Sequence, residues 1–477
     1  MAISEAIETI RKTFPIDQLV LSGTAEFEKL NKSYLSLLQS ELEPAAIFLP
    51  RSSDDVIKFV RIFEPFALEG DAQFAVRGAG QQPVPGCSNI ANNGITLDLR
   101  FLTGIEIKNG IVSIAAGERW GPVYEQLAER GLGVTGSRSA LGGIGGLALA
   151  GGLSFFSSRE GFICDNVINY EIVLSNGEIV NANSTENPDL FRALRGGGNN
   201  FGIVTRFDLK TFQQGPFWGG SVFYFPASFP SQIQSLCDEL KKPDACEETH
   251  IMVSQGFSHV FAALGGHFCM NQLYNTRDEE KPAVLEPFVN VQPQVDQMNS
   301  MRMLTLKEAA NEQAQQSSDG VRCAYMNTTV KVDAATLIAA SDIFTKAFQP
   351  LKALDGITCA FTLQAYPVSL LKKCDNSLGL DASNGPLMSI LLLNWWKNKD
   401  DDDLVIETFK CVLEKIDEDA TSRGTAHPYK YMNYAYSFQD PITSYGEDHH
   451  KKLRDASMKY DPEGLFQRGV PGGFKLF

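Results

Sequence analysis

The sequence predicts an α+β fold built from two domains, and three observations predict it. The chain has 477 residues, more than a single core ordinarily serves, which favours two units of about 200 residues each. The first 214 residues carry strand, hairpin and helix signals interrupted by dense glycine. From about residue 215 the texture changes to aromatic or β-branched strand segments alternating with amphipathic helices, the pattern of an antiparallel sheet backed by helices.

Residues 1–50 read as a leading helix and a mostly polar, helical approach. Ser52, Ser53, Asp54 and Asp55 supply N-terminal caps for a helix whose apolar stripe is Val56, Phe59, Val60 and Phe63. Gln73–Arg77 is a short strand running into a glycine-rich loop. Strands follow at Ile95–Leu99 and Ile105–Ala115, the second broken by Asn109-Gly110, a type I′ hairpin signal. A helix from about Gly121 to Arg130 stops at Gly131. Tyr170–Leu174 and Glu178–Ala182 form a hairpin around Asn176-Gly177, and Pro188 opens a short helix that precedes a strand at Phe201–Thr205. In the second region Phe217–Tyr224 and Leu387–Trp396 are the clearest strands, with helices at 228–241, 333–350 and 401–418.

Composition removes several function classes. A net charge of −15 repels phosphate backbones and anionic lipid, so neither nucleic acid nor membrane is an expected partner. No stretch has the length and apolarity of a transmembrane helix, and the N-terminus lacks the basic and apolar regions of a secretion signal, so a cytoplasmic location is expected. The nine cysteines are odd in number and contain no CxxC, which suits buried thiols in a reducing compartment; a Cys237–Cys246 bridge is the one pairing close in sequence. The histidines lack ligand spacing, so no metal site is expected.

Three glycine-rich segments carry the functional signal: 77–86, 133–152 and 195–202. Between 133 and 152 glycine occupies eight positions, too many for an ordinary helix and suited to a backbone that approaches a large ligand closely. Amides in such loops can hold phosphate oxygens without cationic side chains. The chain contains no GxxxxGK[ST], and no GxGxxG follows an early strand, so neither a P-loop nor a Rossmann site is indicated. No nucleophile elbow stands in a strand–turn–helix setting, which disfavours hydrolase chemistry.

The stretches VRGAGQQPVPG (76–86), LGGIGGLALAGG (141–152), GFICDNVINYEIVLSNG (161–177), NPDLFRALRGGGNNFGIVT (187–205), YMNYA (431–435) and YDPEGLFQRGVPGGFKL (460–476) resemble the FAD-linked oxidases of the vanillyl-alcohol oxidase superfamily. The berberine-bridge-enzyme-like branch, in its fungal form, is most similar. The resemblance implies an FAD-binding domain in two segments, 1–214 and 427–477, with a substrate-binding domain, 215–426, inserted between them. It implies that Arg77, Gly78, Ala79, Gly80, Gln81 and Gln82 wrap the pyrophosphate. Ser139, Gly142, Gly143, Gly145 and Gly146 would line the flavin and ribityl side, Ile203 and Val204 the adenine end, and Tyr431 and Asn433 the isoalloxazine ring.

The sequence departs from that family pattern where relatives tether their flavin. Gln81 stands where many relatives have a histidine bonded to the flavin, and Ser139 where many have a cysteine; Leu147 replaces a further histidine. Noncovalent FAD is therefore expected, with a less oxidising ring. The strand that often carries a glutamate base in relatives has Leu391 at the matching position. Tyr431 and Tyr366 are the acid–base candidates, as tyrosines of lowered pKa, and Gln364 and Asn327 are candidates for hydrogen bonding to substrate. Two functions follow: an FAD-dependent oxidoreductase acting on a small organic molecule in specialised metabolism, or a redox-neutral isomerase or cyclase that keeps FAD as a non-redox element.

Overall fold

The computed structural model describes residues 2–91, 93–315 and 320–477. Its strands fall into three sheets. The first contains β1 (Leu19–Leu21), β2 (Ala46–Phe48), β3 (Gln73–Arg77) and β4 (Gly94–Asp98) in the order β1-β2-β4-β3. β4 runs parallel to both β2 and β3, and β1 pairs antiparallel with β2. β1 and β2 lie where the sequence suggested only helix: each is three residues long, too short to show a strand period. The helix Ser53–Leu68 covers this sheet with Val56, Phe59, Val60 and Phe63 fully buried, and Ser52 caps it by accepting from the Asp55 amide.

The second sheet is antiparallel: β5 (Ile105–Lys108), β6 (Ile111–Ala115), β8 (Val167–Val173), β9 (Ile179–Asn183) and β10 (Ile203–Gln213), ordered β5-β6-β10-β8-β9, with β7 (Leu132–Val134) also on β10. The β5–β6 turn is Asn109-Gly110, with φ of 53° and 75°, the left-handed pair a type I′ turn requires.

The third sheet has eight strands: β11 (Phe217–Tyr224), β12 (Thr249–Ser258), β13 (His267–Asn275), β14 (Arg302–Leu304), β15 (Arg322–Lys331), β16 (Thr358–Tyr366), β17 (Leu387–Trp396) and β18 (Ala426–His427). Every pairing in it is antiparallel. Helices Phe229–Leu240, Ala334–Ala347 and Asp402–Ser422 cover one face. Alternate strand residues, including Val253, Phe361, Leu363, Ile390 and Leu392, meet Ile233, Phe344, Phe409 and Ile416 there in one apolar core. The other alternation faces the glycine-rich loops.

Among the links between the third sheet and the N-terminal part, two stand at its β15 end. Arg322, 3% exposed at its side chain, bonds to both Glu41 and Asp402. The Ser36 hydroxyl donates to the Cys323 carbonyl and accepts from its amide. All nine cysteines are free thiols, so no Cys237–Cys246 bridge forms; both stay reduced, Cys237 in the core and Cys246 partly exposed. Among the described residues, no helix is long and apolar enough to cross a membrane.

Candidate active site

A cavity of about 950 Å³ lies between the glycine-rich loops and the free face of the third sheet. That is near the upper end of the size range for small-molecule sites. Gly78, Ala79, Gly80, Gln81, Gln82, Ser139, Gly142, Gly143, Gly145, Gly146, Ile203, Val204, Tyr431 and Asn433 all line it. The sheet contributes Met252, Ser254 and Ser258 from β12, Thr358, Ala360, Thr362 and Gln364 from β16, and Leu391, Leu393 and Trp395 from β17. The spacing of two along each strand explains the set. Register then pairs Met252 with Gln364, Ser254 with Thr362 and Ser258 with Thr358. The last two pairs join hydroxyl to hydroxyl at 2.8 Å, so the β12–β16 part of the floor is polar but neutral, beside the apolar residues of β17.

Glycine has two separable uses here. At Gly143 a side-chain carbon would lie 2.7 Å from Ala79 Cβ, so the first two glycine-rich loops touch because neither carries bulk there. At Gly145 and Gly146 the same carbon would meet nothing within 4 Å, and at Gly78 only the Ala116 carbonyl at 4.0 Å. Those three bare positions line the cavity, and their bareness serves whatever occupies it. Two cavity-lining polar atoms, Ser139 Oγ and Gln82 Oε1, are buried without a protein partner. Buried polar atoms are rarely left unpaired. Open glycine faces, exposed loop backbone and two unpaired hydrogen-bonding atoms fit a large, polar, planar-ringed group such as FAD.

Three residues expected in the site lie outside it. Arg77 does not face the cavity: its guanidinium lies 3.5 Å over the Tyr34 ring, donates to the Leu30 carbonyl at 2.9 Å and pairs with Asp98 at 3.4 Å. A fully buried cation requires such partners, and Asp98 is its register neighbour on β4. Asn327 is fully buried and bonds to the backbone of Tyr431 instead of to a ligand. Tyr366 is fully buried with an unpaired hydroxyl, and burial pushes its pKa up rather than down.

Tyr431 does line the cavity, but burial also raises its pKa well above the ordinary value, so it stays a phenol. Asn433 Nδ2 donates to the Tyr431 hydroxyl at 3.1 Å and to the carbonyls of Leu147 and Ala150 at 3.2 and 3.1 Å. Asn433 thereby ties the short helix Gly145–Leu149 to the C-terminal segment.

A polar cluster is centred on Arg138, and of its members the sequence reading named only Gln364. Its Nη1 donates to Gln364 Oε1 at 2.9 Å, to Met252 Sδ at 2.9 Å and to His250 Nε2 at 3.2 Å, and its Nη2 donates to the Tyr434 hydroxyl. The Tyr434 hydroxyl in turn donates to Gln364 Oε1 at 3.1 Å. Arginine only donates, so His250 Nε2 is the bare nitrogen and Nδ1 carries the ring proton. Burial and the adjacent guanidinium hold the His250 pKa well below its usual value, so the imidazole is neutral. Arg138 is the one charged side chain among the described residues lining the cavity. Tyr434 stands in the YMNYA stretch and Arg138 beside Ser139, so both were one position from residues already singled out.

Comparisons with known proteins show what the chain is similar to. An FAD binding domain family matches residues 44–183. The FAD-dependent monooxygenase tpcD of Cochliobolus heterostrophus is 37% identical over 456 residues, covering 92% of this chain and 86% of that protein. The FAD-dependent monooxygenase FUP4 of Fusarium proliferatum is 36% identical over 469 residues, covering 93% and 87%. Among solved structures, 6-hydroxy-D-nicotine oxidase from Arthrobacter nicotinovorans superposes with a TM-score of 0.79 at 19% identity, over 96% of this chain and 97% of that one. A variant of berberine bridge enzyme, in complex with (S)-reticuline, gives 0.75 at 15% identity, over 98% and 97%. These last two share the fold.

Proposed function

The chain belongs to the family of FAD-linked flavoenzymes that includes the fungal monooxygenases tpcD and FUP4, and from that premise we propose that it oxidises a small organic molecule of specialised metabolism with dioxygen as co-substrate, using noncovalent FAD. The observation that carries the reading is the single cavity joining bare glycine faces on one side to a neutral, partly polar sheet floor on the other. The glycine side supplies backbone to the cofactor, and the floor supplies a substrate surface.

When bound, FAD would supply two-electron redox chemistry between the substrate and dioxygen. The loop 78–82 and Gly142, Gly143, Gly145 and Gly146 would hold it through backbone amides. Ser139 Oγ and Gln82 Oε1 would gain their missing partners from it. Ile203 and Val204, nearly fully buried, would pack the apolar faces at the adenine end. Tyr431, kept as a phenol, accepts from Asn433 and holds its proton rather than serving as a base. No aspartate or glutamate is among the described cavity-lining residues, so no carboxylate base stands there and proton loss rests on the substrate's own acidity.

Three side chains support noncovalent binding. Gln81 and Ser139 lack a nucleophile matched to the flavin ring. Cys87 is the one thiol among the described residues lining the cavity, and burial pushes its pKa up to about 11, so it stays protonated and unreactive at neutral pH.

Anaerobic mixing of the holoprotein with candidate substrates tests the reading. Bleaching of the flavin absorption by substrate, restored by air, is expected. Turnover of a substrate to an isomer with the flavin still oxidised throughout would overturn it in favour of redox-neutral chemistry.

A further inference from the structure

We propose that Arg138 binds an acidic oxygen of the substrate, so that the enzyme acts on organic acids: carboxylates or ionised phenols. This rests on the oxidoreductase reading, which makes the ligand of this wall the substrate.

The first ground is charge. Every protein contact of the Arg138 guanidinium is a neutral acceptor: an amide oxygen, a thioether, an imidazole and a phenol. Among the described residues no carboxylate pairs with it. Two buried arginines elsewhere contrast with it: Arg77 meets Asp98, and Arg322 meets Glu41 and Asp402. A cation placed in a cavity wall without a counter-charge is costly unless an anion arrives with the ligand.

The second ground is hydrogen-bonding capacity. A guanidinium has five N–H groups in a planar fork. The protein contacts engage Nη1 and Nη2 and leave Nε for a ligand. Gln364 Oε1 already accepts from both Arg138 and Tyr434, and His250 Nε2 accepts from Arg138, so neighbouring acceptors are occupied and fix the fork's orientation. His250 is neutral and cannot compete for the anion.

The third ground is position. Arg138 contacts β12 and β16, the strands that form the cavity floor, and Tyr434 of the C-terminal segment. The bare glycines suited to phosphate oxygens lie instead at Gly78 and at Gly145 and Gly146. A ligand oxygen at Arg138 is thereby assigned to substrate rather than to the cofactor's diphosphate.

The test is calorimetric titration of the holoprotein with benzoate, with benzamide as its neutral match, and with 4-nitrophenol at a pH where it is ionised. The readout is affinity, and it needs no electron transfer, so it separates this proposal from the redox reading. The expected result is benzoate or 4-nitrophenolate binding at least about tenfold tighter than benzamide, the scale of a charge-assisted hydrogen bond. The preferred anion tells carboxylate from phenolate. Arg138→Met should abolish that preference while keeping its flavin; if it does not fold, Arg138→Gln serves, since it keeps a polar group toward Tyr434. Two outcomes overturn the proposal: wild-type protein that binds all three probes alike, or a folded Arg138 variant that loses FAD, which would make Arg138 a counter-ion of the cofactor.

Discussion

Asn327 grips the backbone of Tyr431 from both sides: its Nδ2 donates to the Tyr431 carbonyl at 3.1 Å and its Oδ1 accepts from the Tyr431 amide at 2.9 Å. The two residues are 104 positions apart, one on β15 and one in the C-terminal segment. Gln439 adds to the clamp, donating to the Asn327 carbonyl at 2.7 Å and accepting from its amide at 3.2 Å. A residue expected to touch substrate instead sets the height of a cavity-wall tyrosine.

Replacement of Asn327 by Ala leaves a buried amide and a buried carbonyl of Tyr431 unpaired. Each broken bond costs about 1–2 kcal/mol, so about 2–4 kcal/mol of stability should be lost. Denaturation should show that loss, and the variant should release flavin more readily because Tyr431 and Asn433 sit on the released segment. An Asn327→Ala protein with normal stability but weakened substrate affinity would restore the direct substrate role.

The two uses of glycine predict opposite failures. Gly145→Val adds atoms where the first carbon meets nothing, so the fold should persist while flavin content falls sharply. Gly143→Val drives a carbon to 2.7 Å from Ala79 Cβ, so it should lower thermal stability before any cofactor is considered. Melting temperature and flavin-to-protein absorbance ratio, measured on both variants, separate the two effects. Equal flavin content in Gly145→Val and wild type would remove those bare positions from the cofactor site.

The glycine loops were legible because a backbone constraint leaves its mark locally: only glycine serves at such close approach, so the requirement is written in adjacent letters. Element types were legible for the same reason, through the stripe of Val56, Phe59, Val60 and Phe63 and the Asn109-Gly110 turn. The substrate wall was not. Its residues come from the second glycine-rich segment, β12, β16 and the C-terminal segment, stretches far apart in the chain whose meeting no local pattern announces. Arg138, Met252, Gln364 and Tyr434 meet only after the third sheet has formed. Arg77 misled for a related reason: the letter preceding a glycine loop does not reveal that its side chain turns back toward Tyr34 and Asp98.

Flavin attachment gives a direct chemical prediction. With Gln81 and Ser139 at the family's tether positions and Cys87 held as a thiol, acid precipitation should leave the yellow colour in the supernatant. Cys87→Ser should change nothing in that partition. Colour retained in the wild-type pellet and released in Cys87→Ser would identify Cys87 as a covalent anchor and make the flavin more oxidising than proposed.

Asp165 predicts a pH dependence of stability. Burial raises its pKa from 3.8 to about 6, against the opposing pull of the Asn376 side chain at 2.8 Å and the Phe162 amide at 3.0 Å. The folded protein therefore binds this proton more tightly than the unfolded chain. The contribution to stability is fully present below about pH 4, the unfolded value, and is lost as pH rises through about 6. Asp165→Asn keeps one carbonyl oxygen for Asn376 but cannot accept from the Phe162 amide, so it should be less stable at acid pH. Above about pH 6 the wild type has lost the protonated form's advantage, and the gap between the two proteins should narrow. Urea midpoints of both, measured across this range, read that gap directly. A gap that stays constant or widens with rising pH would mean that Asp165 is ionised throughout, its charge satisfied by the amides around it.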